Sequence, residues 1–279
     1  MSDQSPADER ESVHAPEGLL FVATGRAYVD EAVASARASR PHLAGRPIAI
    51  VTDELDAALE AGCFDHCLPH PDPRHDYRDK IPGMLDLPFE RALFLDSDAR
   101  LTAAADGLFA LLAHHDFAAA HAPVRIPPGW VDPAPPASFA EYNSGVILLR
   151  RGPLQQSLIQ SWLELYDEVG QDWDQATLRA AVWRALGQGL RTFVLPAEAN
   201  LRTTKPWIAG LGLPVIVVHG RVPDSEWPAL LRYLNDDVDR FRTSAEWLDL
   251  YPDSALQHRH APVSLRDRLA ARIRRLTRM

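Results

Sequence analysis

Leu19-Leu20-Phe21-Val22-Ala23-Thr24, closed by Gly25, is the stretch from which the rest of the chain can be read. A short run with no polar residue before its last position suits a strand buried on both faces. Tyr28 to Arg40 then carries Ala and Val at helical spacing and stops before Pro41. Pro47-Ile48-Ala49-Ile50-Val51, ending in Thr52-Asp53, is a second strand of the same kind. Glu54 to Gly62 reads as a helix and Cys63 to Pro69 as a short third strand. This rhythm predicts an α/β fold with a doubly wound, mostly parallel central sheet flanked by helices. Ligands of such sheets sit beyond the carboxyl ends of the strands.

The next strand, Arg91-Ala92-Leu93-Phe94-Leu95, runs into Asp96-Ser97-Asp98. Alternation along an extended strand points both carboxylates to one side. Two oxygen donors there suit a hard divalent cation, which a diphosphate can share. A lone pair of this kind is common in solvated turns. Its position singles it out, because Thr24, Gly25 and Asp53 end the earlier strands at the same side of the predicted sheet.

Further along, a helix is expected around Ala103 to His114 and a strand near Phe117 to Ala120. Pro123 to Ser138 is a Pro-rich loop containing Gly129-Trp130, either a binding wall or a surface excursion. Tyr142-Asn143-Ser144-Gly145 leads into the strand Val146 to Leu149, Asn143-Ser144-Gly145 being either a motif of the site or a plain turn before the strand, with helices from Leu154 to Val169 and from Gln175 to Leu186. Apolar segments recur at Thr192 to Leu195 and at Pro214 to Val218, the latter ending in His219-Gly220. Asp174 has two readings, a helix cap or a polar group of the site. Residues 1–16 are polar and acidic, without the apolar core of a signal peptide, and are expected to form a disordered tail. In Ser264 to Met279, Leu265, Leu269, Ile273 and Leu276 share a helical face and six Arg outweigh one Asp. Such a basic amphipathic helix either packs on its own domain or lies peripherally on an anionic membrane.

The 279 residues, 46% of them hydrophobic, allow a large core. A net charge of -9 argues against nucleic acid as the main partner. Lys80 and Lys205 are the only lysines among 29 basic residues. Two cysteines, Cys63 and Cys67, in a chain this large fit a reducing cytoplasm, and no segment has the length of apolar sequence that a membrane span needs. Cys63, His66, Cys67, His70 and His75 have zinc-like residue types, but strand alternation over Cys63 to Pro69 sets neighbours on opposite faces.

Taken in order, Leu20 to Thr24 with Tyr28, Arg46 to Asp53, Phe94 to Asp98, Tyr142 to Val146, Asp174-Gln175, Pro196 to Asn200 and Val217 to Gly220 resemble the motifs of the GT-A glycosyltransferases. The likeness is to family 8, the glycogenin and lipopolysaccharide galactosyltransferase group, from about Leu19 to His219. It implies a catalytic domain over residues 17–251, a C-terminal extension over 252–279, and transfer of a sugar from a nucleotide diphosphate donor with retention. UDP is implied by the resemblance alone; the acceptor, whether glycan, lipid, protein or small molecule, is left open. By resemblance, Asp96, Asp98 and His219 hold Mn²⁺ or Mg²⁺, and Thr24, Tyr28 and Asp53 face the nucleoside. Asn143, Asp174, Gln175 and Asn200 face the sugar, and Lys80 or Lys205 faces the phosphates. Cleaving the anomeric C–O bond leaves a diphosphate gaining charge, which a shared cation stabilises as a Lewis acid.

The chain departs from the family where His219-Gly220 continues into Arg221-Val222-Pro223-Asp224 rather than Lys-Pro-Trp. Lys205-Pro206-Trp207 precedes the His instead, and Arg221 is the available substitute. The helix after Asp174-Gln175 also lacks the family's usual Asn. A rival reading is a haloacid-dehalogenase-like phosphatase using Asp96, Asp98, Lys205 and Asp236-Asp237. That family wants Thr or Val where Arg100 stands, and its D-x-D near the start of the domain. A catalytically silent nucleotide-sugar binder is the third reading.

Overall fold

A computed structural model describes residues 15–122, 130–170, 173–203 and 212–239. Its strands are β1 (Ala15–Val22), β2 (Ile48–Thr52), β3 (His66–Pro69), β4 (Phe89–Leu95), β5 (Ala99–Leu101), β6 (Phe117–His121), β7 (Tyr142–Arg150), β8 (Thr192–Val194), β9 (Leu201–Arg202) and β10 (Val217–His219). Its helices are α1 (Arg26–Ser39), α2 (Leu55–Ala61), α3 (Lys80–Gly83), α4 (Asp106–Leu111), α5 (Pro153–Val169), α6 (Asp174–Leu186) and α7 (Trp227–Asn235). Residues 264–279 and Lys205 to Trp207 lie outside the described residues. β1 starts at Ala15, inside the stretch read as a tail, and β3 is shorter than the Cys63 to Pro69 expected.

Seven strands form the main sheet in the order β3-β2-β1-β4-β7-β6-β8. β1, β2, β3 and β4 run parallel, as the strand–helix rhythm requires, and β6 pairs parallel with β8. β7 runs antiparallel to both of its neighbours. Its direction matters for function. An antiparallel strand beside β4 begins where β4 ends, so the first residues of β7 lie at the carboxyl end of the sheet, with Leu95 opposite Val146. Apolar side chains fill both faces. Leu19, Phe21, Ile48 and Leu93 pack against α1 and α4, and Leu20, Phe94, Ile147 and Trp162 pack with residues of α5 and α6.

β7 is also bulged. His121 pairs with Tyr142 and Ala119 with Ile147, so two steps along β6 face five along β7. Asn143-Ser144-Gly145 sits in this irregularity, inside the strand rather than in a turn before it. Bulges re-aim side chains out of the ladder, and Asn143 and Ser144 use that freedom below.

A second sheet, β5-β10-β9, has three strands. β10 is antiparallel to β5, which sets His219 opposite Ala99, and Gly220 N–H donates to the Asp98 carbonyl at 2.9 Å. Residues more than a hundred positions apart thus become backbone neighbours. α7 closes this sheet with Trp227, Leu230 and Leu234 against Leu201 and Val218. No described helix is long and apolar enough to cross a membrane.

Candidate active site

Asp96, Ser97 and Asp98 form a turn between β4 and β5, with Ala99 N–H bonded to the Asp96 carbonyl at 2.9 Å. The two carboxylates therefore converge through a turn, not through alternation on one extended strand as expected. Two contacts to α1 hold the turn in place. Ser97 Oγ donates to Glu31 Oε2 at 2.6 Å, and Ser35 Oγ donates to the Ser97 carbonyl at 2.6 Å.

His219 is buried and meets both carboxylates, with Nε2 3.4 Å from Asp98 Oδ1 and 3.7 Å from Asp96 Oδ2. Its proton position follows from a chain of hydrogen bonds that starts on the backbone. Gly145 N–H donates to Asn143 Oδ1 at 3.1 Å, which fixes which end of that amide is oxygen. Asn200 Nδ2 then donates to the same oxygen at 2.8 Å, leaving Asn200 Oδ1 against His219 Nδ1 at 2.9 Å. A carbonyl oxygen only accepts, so Nδ1 carries the hydrogen and Nε2 presents a lone pair. Arg202 Nη1, 3.0 Å from Nε2, can only donate and agrees with that assignment. Burial opposes charge on Asp98, yet the Arg221 and Arg202 guanidiniums hold its carboxyl well below the usual carboxylate range.

Gly145 makes this meeting sterically possible. A Cβ there would lie 2.7 Å from both Asp96 Oδ2 and His219 Nε2 and would overlap His219 Cε1. A side chain at this position cannot coexist with the two ligand groups.

Asp96, Asp98 and His219 have ligand atoms all within 4.8 Å of one another, and no other such cluster occurs among the described residues. Two carboxylates and one imidazole lone pair, all acceptors, repel one another unless positive charge lies among them. The donor set suits Mn²⁺ or Mg²⁺, and the Asn200 bond to Nδ1 supplies the orientation that a metal-ligating His needs. The residues fit a divalent ion, provided Arg202 swings off Nε2.

Lys80, on α3, sits beside this cluster. Its Nζ lies 2.9 Å from Asp96 Oδ1, 3.4 Å from Ser144 Oγ and 3.5 Å from Asp174 Oδ2. Burial opposes its charge, but Asp174, Asp96 and Asp98 outweigh that and hold its pKa above the ordinary lysine value. Lys80 thus joins the start of α6 to the Asp96 turn. α5 sets the height of α6: the buried Trp162 indole donates to the Asp174 carbonyl at 3.0 Å and to Thr177 Oγ1 at 3.2 Å. Asp174 is the first residue of the helix and its side chain makes no capping bond, so the cap reading is dropped.

The nucleoside candidates gather around Gly25, whose φ of 78° favours glycine. Gly25 N–H donates to Asp53 Oδ1 at 2.8 Å, and His75 Nε2 reaches Asp53 Oδ2 at 3.1 Å. Tyr28 is exposed. Thr24 is buried and its hydroxyl is committed to Asp79 Oδ2, at 2.5 Å, while Asp79 also accepts from the Arg74 and His75 backbone. Asn200 is likewise committed at both ends of its amide, to Asn143 Oδ1 and His219 Nδ1.

Several neighbours carried no legible signal in the sequence. Arg202, Glu31 and Asp79 are solitary polar residues without a motif, and Glu141 looks like the start of a strand. The Cys63 to His75 group disperses: His66 rests near the Phe89 ring, His70 Nε2 pairs with the Asp79 carbonyl, and His75 turns to Asp53. Arg100 stacks 3.9 Å over the Trp227 ring, away from the Asp96 turn's chemistry.

No family profile matches the sequence, and no curated protein is significantly similar to it. Solved structures do match. The galactosyltransferase LgtC, in complex with donor and acceptor sugar analogues, is 14% identical with a TM-score of 0.51, over 84% of this chain and 99% of LgtC. The glycosyltransferase GlyE of Streptococcus pneumoniae TIGR4 is 14% identical with a TM-score of 0.50, over 88% of this chain and 62% of GlyE. The bifunctional glycosyltransferase WbbM is 10% identical with a TM-score of 0.50, over 92% of this chain and 53% of WbbM. Identities this low carry the fold alone: the chain has the GT-A fold of these glycosyltransferases, not that of the phosphatase alternative.

Proposed function

We propose that the chain is a metal-dependent glycosyltransferase that moves a sugar from a nucleoside diphosphate donor, UDP being the favoured nucleotide, to an acceptor, with retention of anomeric configuration. One observation carries this reading: the Asp96–Asp98–His219 cluster, with Lys80 against it, lies at the carboxyl end of β4 in a GT-A fold. Residues 17–251 serve as the catalytic domain. Two free cysteines suit a reducing cytoplasm, and the basic face of residues 264–279 makes peripheral contact with the membrane's inner face a variant of the same reading.

Asp96, Asp98 and the His219 Nε2 lone pair would hold Mn²⁺ or Mg²⁺, which would offset the charge that grows on the departing diphosphate. Lys80 adds a buried ammonium to the same charge balance. Arg221, held on Glu31 at 2.8 Å, lies on the Asp98 side and stands in for the missing Lys-Pro-Trp lysine. Tyr28 and Asp53 take the nucleoside. Asn143, Asp174 and Gln175 line the sugar's side, and Asn200 keeps His219 aligned.

The test is a panel of nucleotide sugars assayed for hydrolysis with and without Mn²⁺. Metal-dependent release of the nucleoside diphosphate is expected, falling at least a hundredfold in Asp98→Asn with the fold retained. Retained activity in Asp98→Asn would remove the D-x-D from the mechanism. Lack of metal-dependent hydrolysis or stabilisation by any nucleotide sugar would remove the whole reading.

A further inference from the structure

The start of α6 and the residue before β7 gather buried oxygens that lack hydrogen-bond partners. Glu141 is 1% exposed, and neither of its carboxyl oxygens has a hydrogen-bond partner. Gln175 Oε1 is also buried without one, and Asp174 Oδ2 has only the Lys80 ammonium at 3.5 Å. The groups acting on Glu141 place it against α6: the Trp173 side chain, Asp174 and Arg179. Arg179, the cation of that set, is spent elsewhere. Its guanidinium binds the carbonyls of Phe139 at 2.6 Å, Pro136 at 2.9 Å and Pro135 at 3.2 Å, strapping the loop before β7 onto α6.

A buried, unpaired oxygen costs about 1–3 kcal/mol, so three acceptor atoms left so at one end of one helix call for an explanation. All three accept, and the helix N-terminus behind them favours negative charge. Such a set asks for hydroxyl donors. Lys80 ties Asp174 to Asp96, which puts this group next to the metal-binding cluster.

We propose that Glu141 is a hydroxyl-binding residue of the site, accepting, with Asp174 and Gln175, hydrogen bonds from a sugar ring of the donor or of the acceptor. This rests on the glycosyltransferase reading. Burial pushes the Glu141 carboxyl up to about 7, the Trp173 and Arg179 side chains offset part of that, and Asp174 adds to it. Its oxygens are therefore strained in the free protein and gain most when a hydroxyl reaches them.

The experiment compares the full chain with Glu141→Gln and Glu141→Met. It measures binding of UDP and of the best nucleotide sugar by calorimetry with Mn²⁺, KM for mono- and disaccharide acceptors, and Tm. Both variants should bind UDP within twofold of the parent and melt at the same temperature or higher, because an unsatisfied carboxyl has been removed. Glu141→Met should weaken either the nucleotide sugar or the acceptor at least tenfold. Loss on the nucleotide sugar identifies the donor ring, and loss confined to acceptor KM identifies the acceptor ring; either supports the proposal. Equal weakening of UDP and UDP-sugar with a lower Tm shows a structural role and overturns it, as does unchanged binding of both. A parent chain that binds no nucleotide sugar sinks the glycosyltransferase reading itself; a parent that binds while Glu141→Met is indifferent sinks only this inference.

Discussion

The two halves of the site are built on opposite principles. Around the Asp96 turn nearly every polar atom has a partner: a backbone N–H fixes Asn143, Asn143 fixes Asn200, and Asn200 fixes His219. Around the start of α6, the oxygens of Glu141 and the Gln175 Oε1 are buried without a hydrogen-bond partner. A network satisfied internally holds one geometry and suits a ligand that never varies, which under the proposed function is a cation and a diphosphate. A set of unsatisfied acceptors gains its bonds only from an incoming ligand, and it suits the part of the substrate that distinguishes one sugar from another.

Substitutions that add atoms to the satisfied half should do the most damage. Gly145→Ala places a methyl where Asp96 and His219 meet, and it should abolish metal binding and cut activity by more than about a thousandfold. Mn²⁺ titration by calorimetry checks it; near-normal Mn²⁺ affinity would mean the cluster tolerates displacement and is not preorganised. Cutting the chain of amides at Asn200→Ala leaves all three ligands in place but frees the His219 ring. Metal affinity should fall by about 10–100-fold with little change in UDP-sugar discrimination. A shift in discrimination instead would return Asn200 to the sugar side.

The smallest effect belongs to the unsatisfied half and is read in stability. The Glu141 carboxyl is raised to about 7 in the folded chain, so between its ordinary range and about pH 7 the folded state holds a proton that the unfolded state has lost. Stability contributed by that proton is present in full at low pH and disappears as pH rises through about 7, a loss of order 1–3 kcal/mol. Urea unfolding of Glu141→Gln across pH 5 to 8 should show a flatter slope than the parent by that amount. Equal slopes would show that Glu141 finds a partner in solution.

Much of the main sheet was legible because buried parallel strands are written as short uninterrupted apolar runs, as in Leu19 to Ala23, Ile48 to Val51 and Ala92 to Leu95. The Asp96-Ser97-Asp98 motif and His219 were legible too, since polar residues ending successive predicted strands at one side of a sheet point to a shared site. Asn143-Ser144-Gly145 was visible as a motif, but its place inside a bulged strand was not. A bulge depends on register with β6, which no local pattern encodes. Glu141, Arg202 and Glu31 were invisible because each matters only through what packs against it.

The residues alone determined which elements form and which side of the sheet carries the chemistry, because apolar periodicity and strand-end polar residues are local properties of the chain. The tertiary structure decided the direction of β7, the pairing of β5 with β10 that brings His219 to Asp98, and which oxygens are left without partners. Those are properties of segments meeting across the fold, where burial and the competition for hydrogen bonds are settled by neighbours far away in sequence.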